Sequence, residues 1–265
     1  MAVAYHWKIA SEARSYEMNV RYLLGLLKSK AIYEYFPGRI RRMTSFYGNI
    51  VAPGDLTFDI GSHLGNRARV LAKLGCKVIA VEPHPYLATY LRNKFAEIGN
   101  VIVEEVAVSE TPGEATLYST AGNLTISSLN VEWPDLLHGV RPHHIGFSER
   151  HMVRTITIEQ LIEKYGVPRY CKIDIEGLDV AVLKSLSHPI AVVSFEHLPS
   201  LFEKTVEAIE ILEKLAPYRF NFFAKEAHVF RLANAVRGPE LLDALTDAAG
   251  SRSSCDIFAL AEASL

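Results

Sequence analysis

The chain has 265 residues, of which 49% are apolar and 22% charged, and a formal net charge of −2. That length carries one α/β domain with additions and a sizeable core, and the composition excludes a disordered or fibrous protein. No run of 18 apolar residues occurs and the start lacks a signal-peptide core, so the expectation is a cytoplasmic protein with no membrane span; near-neutral charge argues against nucleic acid as a partner.

Residues 1–50 read as a helical N-terminal extension, rich in aromatics (Tyr16, Tyr22, Tyr33, Tyr35, Phe36, Phe46, Tyr47) and holding eight Lys/Arg against three Asp/Glu. Its basic "GRIRRM" (38–43) reads as a solvated helix face, and these helices are where a homo-oligomer would form. From residue 51 to 265 one domain is expected, in which strands and helices alternate. "LTFDI" is a strand, "NRARVLAKLG" a helix ended by Gly75, "KVIAVE" a strand, "YLATYLRNKFAEIG" a helix, and "VIVEEVAV" a third strand. "EATLYST" is an extra strand, and an irregular, lid-like insertion follows over about 121–153. Helix "TIEQLIEKYG" has Thr157 and Gln160 at capping-box spacing. Strand "YCKIDI", helix "LDVAVLKSL", strand "AVVSFE" and helix "LFEKTVEAIEILEKLA" come next. "YRFNFFAKEAHVFRLAN" reads as two extended runs about a turn at Lys225 and Glu226, before helix "ELLDALTDAAG" and strand "CDIFALA". This alternation predicts a doubly wound, mostly parallel sheet with an antiparallel edge. Cys76, Cys171 and Cys255 lie far apart and read as free buried thiols.

Acids stand where the parallel strands end: Asp59, Glu82, Glu105, Asp174 with Glu176, and Glu196. Ligands of open α/β sheets bind at that carboxyl edge. The turn after the first strand reads Asp59-x-Gly61-x-x-x-Gly65, two glycines behind an acid rather than a G-x-G-x-x-G pyrophosphate cradle. An acid there repels a pyrophosphate and suits a cation, while N–H groups at the helix start, with Ser62 and Asn66 beside them, meet a carboxylate. Glu82, followed by Pro83, ends the second strand about 20 residues after Gly61, the usual place of an acid on ribose hydroxyls. Glu105, with Ala107 close by, lies where an adenine is contacted. Cation, carboxylate, ribose and adenine together describe S-adenosylmethionine.

The segments "FDIGSHLGN", "VIAVEPHPYLATYLRNKF", "VEEVAVSETPGEATLY", "TISSL" and "CKIDIEGLDVAVLKSL", in this order, resemble the FkbM family of S-adenosylmethionine-dependent O-methyltransferases, over about residues 50–200. The resemblance implies the seven-stranded, Rossmann-like class I methyltransferase sheet with a reversed final strand. It also implies methyl transfer to a hydroxyl, often on a sugar or secondary metabolite. Ser62 and His63 depart from the family, which often has a small residue and Asn there.

An alcohol acceptor must lose its proton near the transition state. Asp174 is the first choice of base, with Glu176 and His197 next; Lys172 shares a strand face with Asp174, and an ion pair between them is the structural alternative. No metal is predicted, although an ion held by Asp174, Glu196 and His197 is an alternative. His138, His143, His144 and His151 match no tetrahedral zinc spacing and read as solvated loop residues. Trp133 with Pro134 reads as a sugar-stacking pair or a lid anchor. The rival functions are a cofactor-binding module without catalysis and a nicotinamide-dependent oxidoreductase.

Overall fold

A computed structural model describes residues 22, 25–27, 38–120, 124, 127–133, 146–224, 227–246 and 254–262. The helices are α1 (Arg39–Tyr47), α2 (Asn66–Lys73), α3 (Pro85–Phe95), α4 (Ile158–Tyr165), α5 (Asp179–Lys184), α6 (Phe202–Leu215) and α7 (Gly238–Thr246). The strands are β1 (Leu56–Ile60), β2 (Lys77–Val81), β3 (Val101–Glu104), β4 (Ala107–Val108), β5 (Gly113–Ser119), β6 (Glu149–Ile156), β7 (Tyr170–Ile173), β8 (Val192–His197), β9 (Tyr218–Ala224) and β10 (Cys255–Ala261).

Seven strands form the main sheet in the order β3-β2-β1-β7-β8-β10-β9. The first five pair in parallel, whereas β10 runs antiparallel to both β8 and β9. This is the expected Rossmann-like sheet with its reversed final strand. Strand order turns back between β1 and β7, and their register sets Ile60 opposite Ile173. The residues that follow, Gly61 and Asp174, therefore share the switch point, where open α/β sheets bind ligands.

Burial explains the apolar runs. On one sheet face Phe58, Ile60, Cys171, Ile173 and Phe195 pack with Leu161 of α4, Leu183 of α5 and Leu212 of α6. On the other, Val78, Ala80, Tyr170 and Phe258 pack with Tyr47 of α1, Leu71 of α2 and Leu91 of α3. Both faces being covered, the strands read as continuous apolar segments rather than as alternation. The capping box of α4 forms as its spacing predicts: Thr157 Oγ1 accepts from Gln160 N at 3.2 Å, and Gln160 Oε1 accepts from Thr157 N at 3.0 Å. The three cysteines are free and buried.

Three expectations are corrected. "VIVEEVAV" is two strands: β3 closes the main sheet, and after a bend at Glu105 and Val106, β4 joins a second sheet of order β4-β6-β5. β6 lies in and beyond the segment read as irregular insertion, held by seven residue pairs with β5 from Gly113↔Thr155 to Ser119↔Glu149. The second late extended run is no strand among the described residues; the chain returns to β9 through Arg231 N on Phe222 O and a single bridge, Phe220↔Val236. Lys225, Glu226, Pro134, His138, His143 and His144 lie outside the described residues, as does most of the N-terminal extension. Among the described residues no helix is long and apolar enough to cross a membrane.

Candidate functional site

A cavity of about 160 Å³ opens at the switch point. Of the residues read from the sequence, Gly61, Ser62, Asn66, Glu82, Pro83, Ala107, Asp174 and Glu176 line it. Arg39, His63, Arg67, Val106 and Leu117 also line it, and these the sequence reading did not pick out.

The loop after β1 has the conformation its glycines allow. Gly61 lies at φ +79°, and a Cβ there would stand 1.9 Å from the Asp174 carbonyl oxygen, so only glycine lets the two strand ends meet. Gly65, at φ +69°, starts α2; its Cβ would run into Leu91 and Phe95. Gly65 therefore serves close helix packing and does not line the cavity, a correction to its assignment as a ligand contact. Ser62 donates to the Asp59 carbonyl at 2.6 Å, tying the loop back to its strand.

Glu82 is buried and its two carboxylate oxygens divide between two backbone donors, Oε2 taking His63 N at 2.8 Å and Oε1 taking His84 N at 3.0 Å. Each oxygen keeps further lone-pair capacity, which can accept a hydroxyl of a bound ligand. Burial pushes the Glu82 carboxyl up to about 7 against the pull of those N–H groups.

Asp59 is corrected as well. It is fully buried, does not line the cavity, and sits beneath the loop with Oδ1 3.5 Å from Arg67 Nη1, while Oδ2 has no hydrogen-bond partner among the described residues. It belongs to a polar layer under α2: Arg67 Nε donates to Tyr47 OH at 2.8 Å, and Tyr170 OH lies 2.8 Å from Ser194 Oγ. Arg67 thus reaches the cavity from a braced position. Arg39, on the first turn of α1, reaches it from the helix that precedes the sheet.

Asp174 lines the cavity and is about one-third exposed. Lys172, buried beneath it, lies 3.6 Å from Asp174 Oδ2 and closer, 2.5 Å, to Asp256 Oδ1 of β10. Burial opposes charge on Lys172, but Asp174 and Asp256 hold its ammonium above the ordinary lysine range. Glu176 accepts from the Trp133 indole Nε1 at 2.6 Å, and Trp133 is fully buried against Gly177, so this aromatic is an anchor of the connection between β5 and β6. Glu196 and Asp179 complete an acidic group around Lys172. Burial raises both, Asp179 to about 7, and the charge of Asp174 adds to each shift.

Two further residues are corrected. Glu105 is outside the cavity, pairing at the surface with Arg92 at 2.7 Å. His197 is buried on the other face of β8, with Nδ1 2.8 Å from Thr205 Oγ1, and burial lowers it to about 4. Neighbours on a strand point to opposite faces, so Glu196 and His197 cannot converge on Asp174. The ion site of Asp174, Glu196 and His197 does not assemble, and His197 is not placed to act as a base.

These shifts have a sign. Glu82 and Asp179 have folded pKa values above their unfolded ones, so their contribution to stability is present below pH about 4 and is lost as pH rises through 7; Glu196 is raised in the same direction by its burial. His63, His84 and His197 are lowered by burial, so their contribution is lost only as pH falls below about 6.5. Between pH 7 and 8.5 the raised acids act together with the three cysteine thiols that burial also raises, all in one direction, and the melting temperature is expected to fall over that window. Calorimetric scans at the two pH values check this; an unchanged or higher value at pH 8.5 would contradict raised carboxyls at Glu82, Asp179 and Glu196.

The chain matches the Methyltransferase FkbM domain over residues 59–231. No curated protein matches it. Among solved structures it is similar to a precorrin-6y C5,15-methyltransferase from Geobacter metallireducens, at 11% identity over 86% of this chain and 92% of that one, TM-score 0.43. A SAM-dependent O-methyltransferase from Thermotoga maritima is similar at 13% identity, over 89% and 69% of the two chains, TM-score 0.43. A putative methyltransferase from Streptococcus mutans in complex with SAH is similar at 11% identity, over 84% and 97%, TM-score 0.40.

Proposed function

The chain belongs to the FkbM methyltransferase family and is an S-adenosylmethionine-dependent methyltransferase, and from that premise we propose that it methylates a hydroxyl of a small molecule or saccharide. The observation that carries this reading is a carboxylate, Asp174, at the switch-point wall of the cavity, placed by the Gly61 contact and by Lys172. When bound, S-adenosylmethionine supplies a methyl group on a positively charged sulfur.

The cavity residues suit that molecule part by part. Glu82 accepts the ribose hydroxyls with the lone pairs its backbone donors leave. Arg67 and Arg39 meet the amino-acid carboxylate, with the first turn of α2 adding its dipole. Val106, Ala107 and Leu117 provide apolar walls for the adenine, the task first given to Glu105. Asp174 takes the acceptor's proton as the oxygen attacks, and Lys172 behind it holds the carboxylate in place. Glu176, tied to Trp133, shapes the rim where the acceptor enters. Arg39 turns into the cavity instead of joining Arg41 and Arg42 on the exposed face of α1, which leaves a thin basic stripe and favours a small acceptor over nucleic acid.

Asp174→Asn is expected to lower kcat by about 100- to 10,000-fold, the range for loss of a positioned base, with cofactor affinity changed less than threefold. Methyl transfer to a library of sugars and phenols, alongside calorimetry with S-adenosylhomocysteine, checks both halves. Turnover equal to that of the parent chain removes Asp174 from the chemistry. Transfer to RNA with none to any hydroxyl compound overturns the proposed acceptor class.

A further inference from the structure

A second cluster lies where the small sheet meets the main domain. His84 follows β2 and caps α3, its Nδ1 accepting from Tyr86 N at 3.2 Å. Glu149 and His151 stand two apart on β6 and so point to one side. One ligand atom from each of the three residues lies within 4.8 Å of the others, and the His84 and His151 rings are 4.9 Å apart between centroids.

His84 singles this cluster out from an ordinary hydrogen-bonded group. It is fully buried, and its Nε2 has no hydrogen-bond partner among the described residues. A buried polar atom left unpaired costs free energy, so its persistence in a pocket with a carboxylate and a second imidazole needs a reason. The surroundings are those of ligands held in place. The Tyr22 hydroxyl donates to Glu149 Oε2 and its ring packs edge-on against His84; Ser119 Oγ lies 3.2 Å from His151 Nε2. The Tyr22 hydroxyl is an outer partner of the kind that orients a ligating carboxylate, while Ser119 gives up His151 Nε2 when that nitrogen, which also faces Glu149 at 3.8 Å, takes the metal.

We propose that His84, Glu149 and His151 bind a divalent transition-metal ion of the zinc class. Two imidazoles and one carboxylate select zinc and its neighbours over magnesium or calcium, which take oxygen shells. A water completes the tetrahedron. With Nδ1 accepting from Tyr86, the ring proton of His84 rests on Nε2; metal capture there moves it to Nδ1 and gives up that one long hydrogen bond, a small loss against three metal bonds. Its role is structural. It ties β6 to the turn that carries Glu82 two residues earlier, and through Tyr22 to the N-terminal segment. This site is independent of the acceptor assigned above.

The test uses the full chain stripped with a chelator, dialysed, and titrated with Zn²⁺ against a chromophoric competitor. One equivalent is expected, with a raised melting temperature. Glu149→Gln and His151→Gln should each weaken Zn²⁺ binding by at least about 100-fold, while His188→Gln, at a surface histidine paired with Glu159, should leave it unchanged. Less than one equivalent, parental affinity in both cluster variants, or an equal loss in His188→Gln would overturn the proposal. Should a variant fail to fold, zinc X-ray absorption on the parent chain decides: two imidazoles in a four-coordinate shell support the site, and a six-oxygen shell refutes it.

Discussion

Replacing Glu82 by alanine is expected to weaken S-adenosylmethionine binding by at least about 100-fold, because two charge-assisted hydrogen bonds of about 1.5–3 kcal/mol each disappear. The same carboxylate holds the backbone at His63 and His84, so truncation also releases the two turns that wall the ribose end of the cavity. A pH dependence accompanies the effect. The buried carboxyl sits at about 7 in the cofactor-free chain, and ribose hydroxyls donate to its ionised form. Affinity should therefore rise between pH 6 and 8 in the parent and stay flat in Glu82→Ala. Calorimetric titration with S-adenosylhomocysteine at both pH values measures this, and an affinity within threefold of the parent would remove Glu82 from the site. Asp59→Asn is the contrast: Asp59 makes no cavity wall, so its loss acts through Arg67 and the loop, on stability before affinity.

Lys172→Met should destabilise the chain by about 3–5 kcal/mol, since it removes a fully buried ammonium and leaves the partly buried Asp256 carboxylate without its nearest cation. Burial raises the Asp256 carboxyl, but Lys172 and then Arg67 outweigh it and hold the group below the usual carboxylate range. Removing the lysine reverses that balance, and Asp174 loses the charge that faces it. The double variant Lys172→Met, Asp256→Leu removes both charges and should recover part of the lost stability. Urea denaturation of the two variants decides the matter; a single variant within about 1 kcal/mol of the parent would show the pair to be dispensable.

Much of this was legible in the sequence because central parallel strands are apolar on both faces and turn acidic where they leave the core. That contrast marked β1, β2, β7 and β8, and with them the edge where Gly61, Glu82 and Asp174 meet. β6 escaped because "ERHMVRTI" opens on three polar residues and shows no clean alternation of apolar and charged side chains, although its burial alternates in the fold, and because it follows a long stretch without period. "VIVEEVAV" misled for the opposite reason: one apolar run serves two sheets, and the bend that divides it turns Glu105 toward Arg92. His197 is an avoidable error, since period two already set it opposite Glu196. Asp59 is subtler. Its position beside the loop was right, but an acid under a turn and an acid facing a ligand have the same sequence, and only packing against Arg67 and Tyr47 separates them. Arg39 and Arg67 were invisible as a pair because they come together from separate helices, through tertiary contacts that no local pattern encodes. His84 and His151 met in the same way, across the junction of two sheets.

The most direct measurement is a crystal structure with S-adenosylhomocysteine bound. The account predicts the ribose hydroxyls on Glu82, the amino-acid carboxylate between Arg39 and Arg67, and the sulfur facing Asp174. A molecule bound elsewhere on the sheet, or one seated in this cavity with its ribose turned away from Glu82, would contradict it.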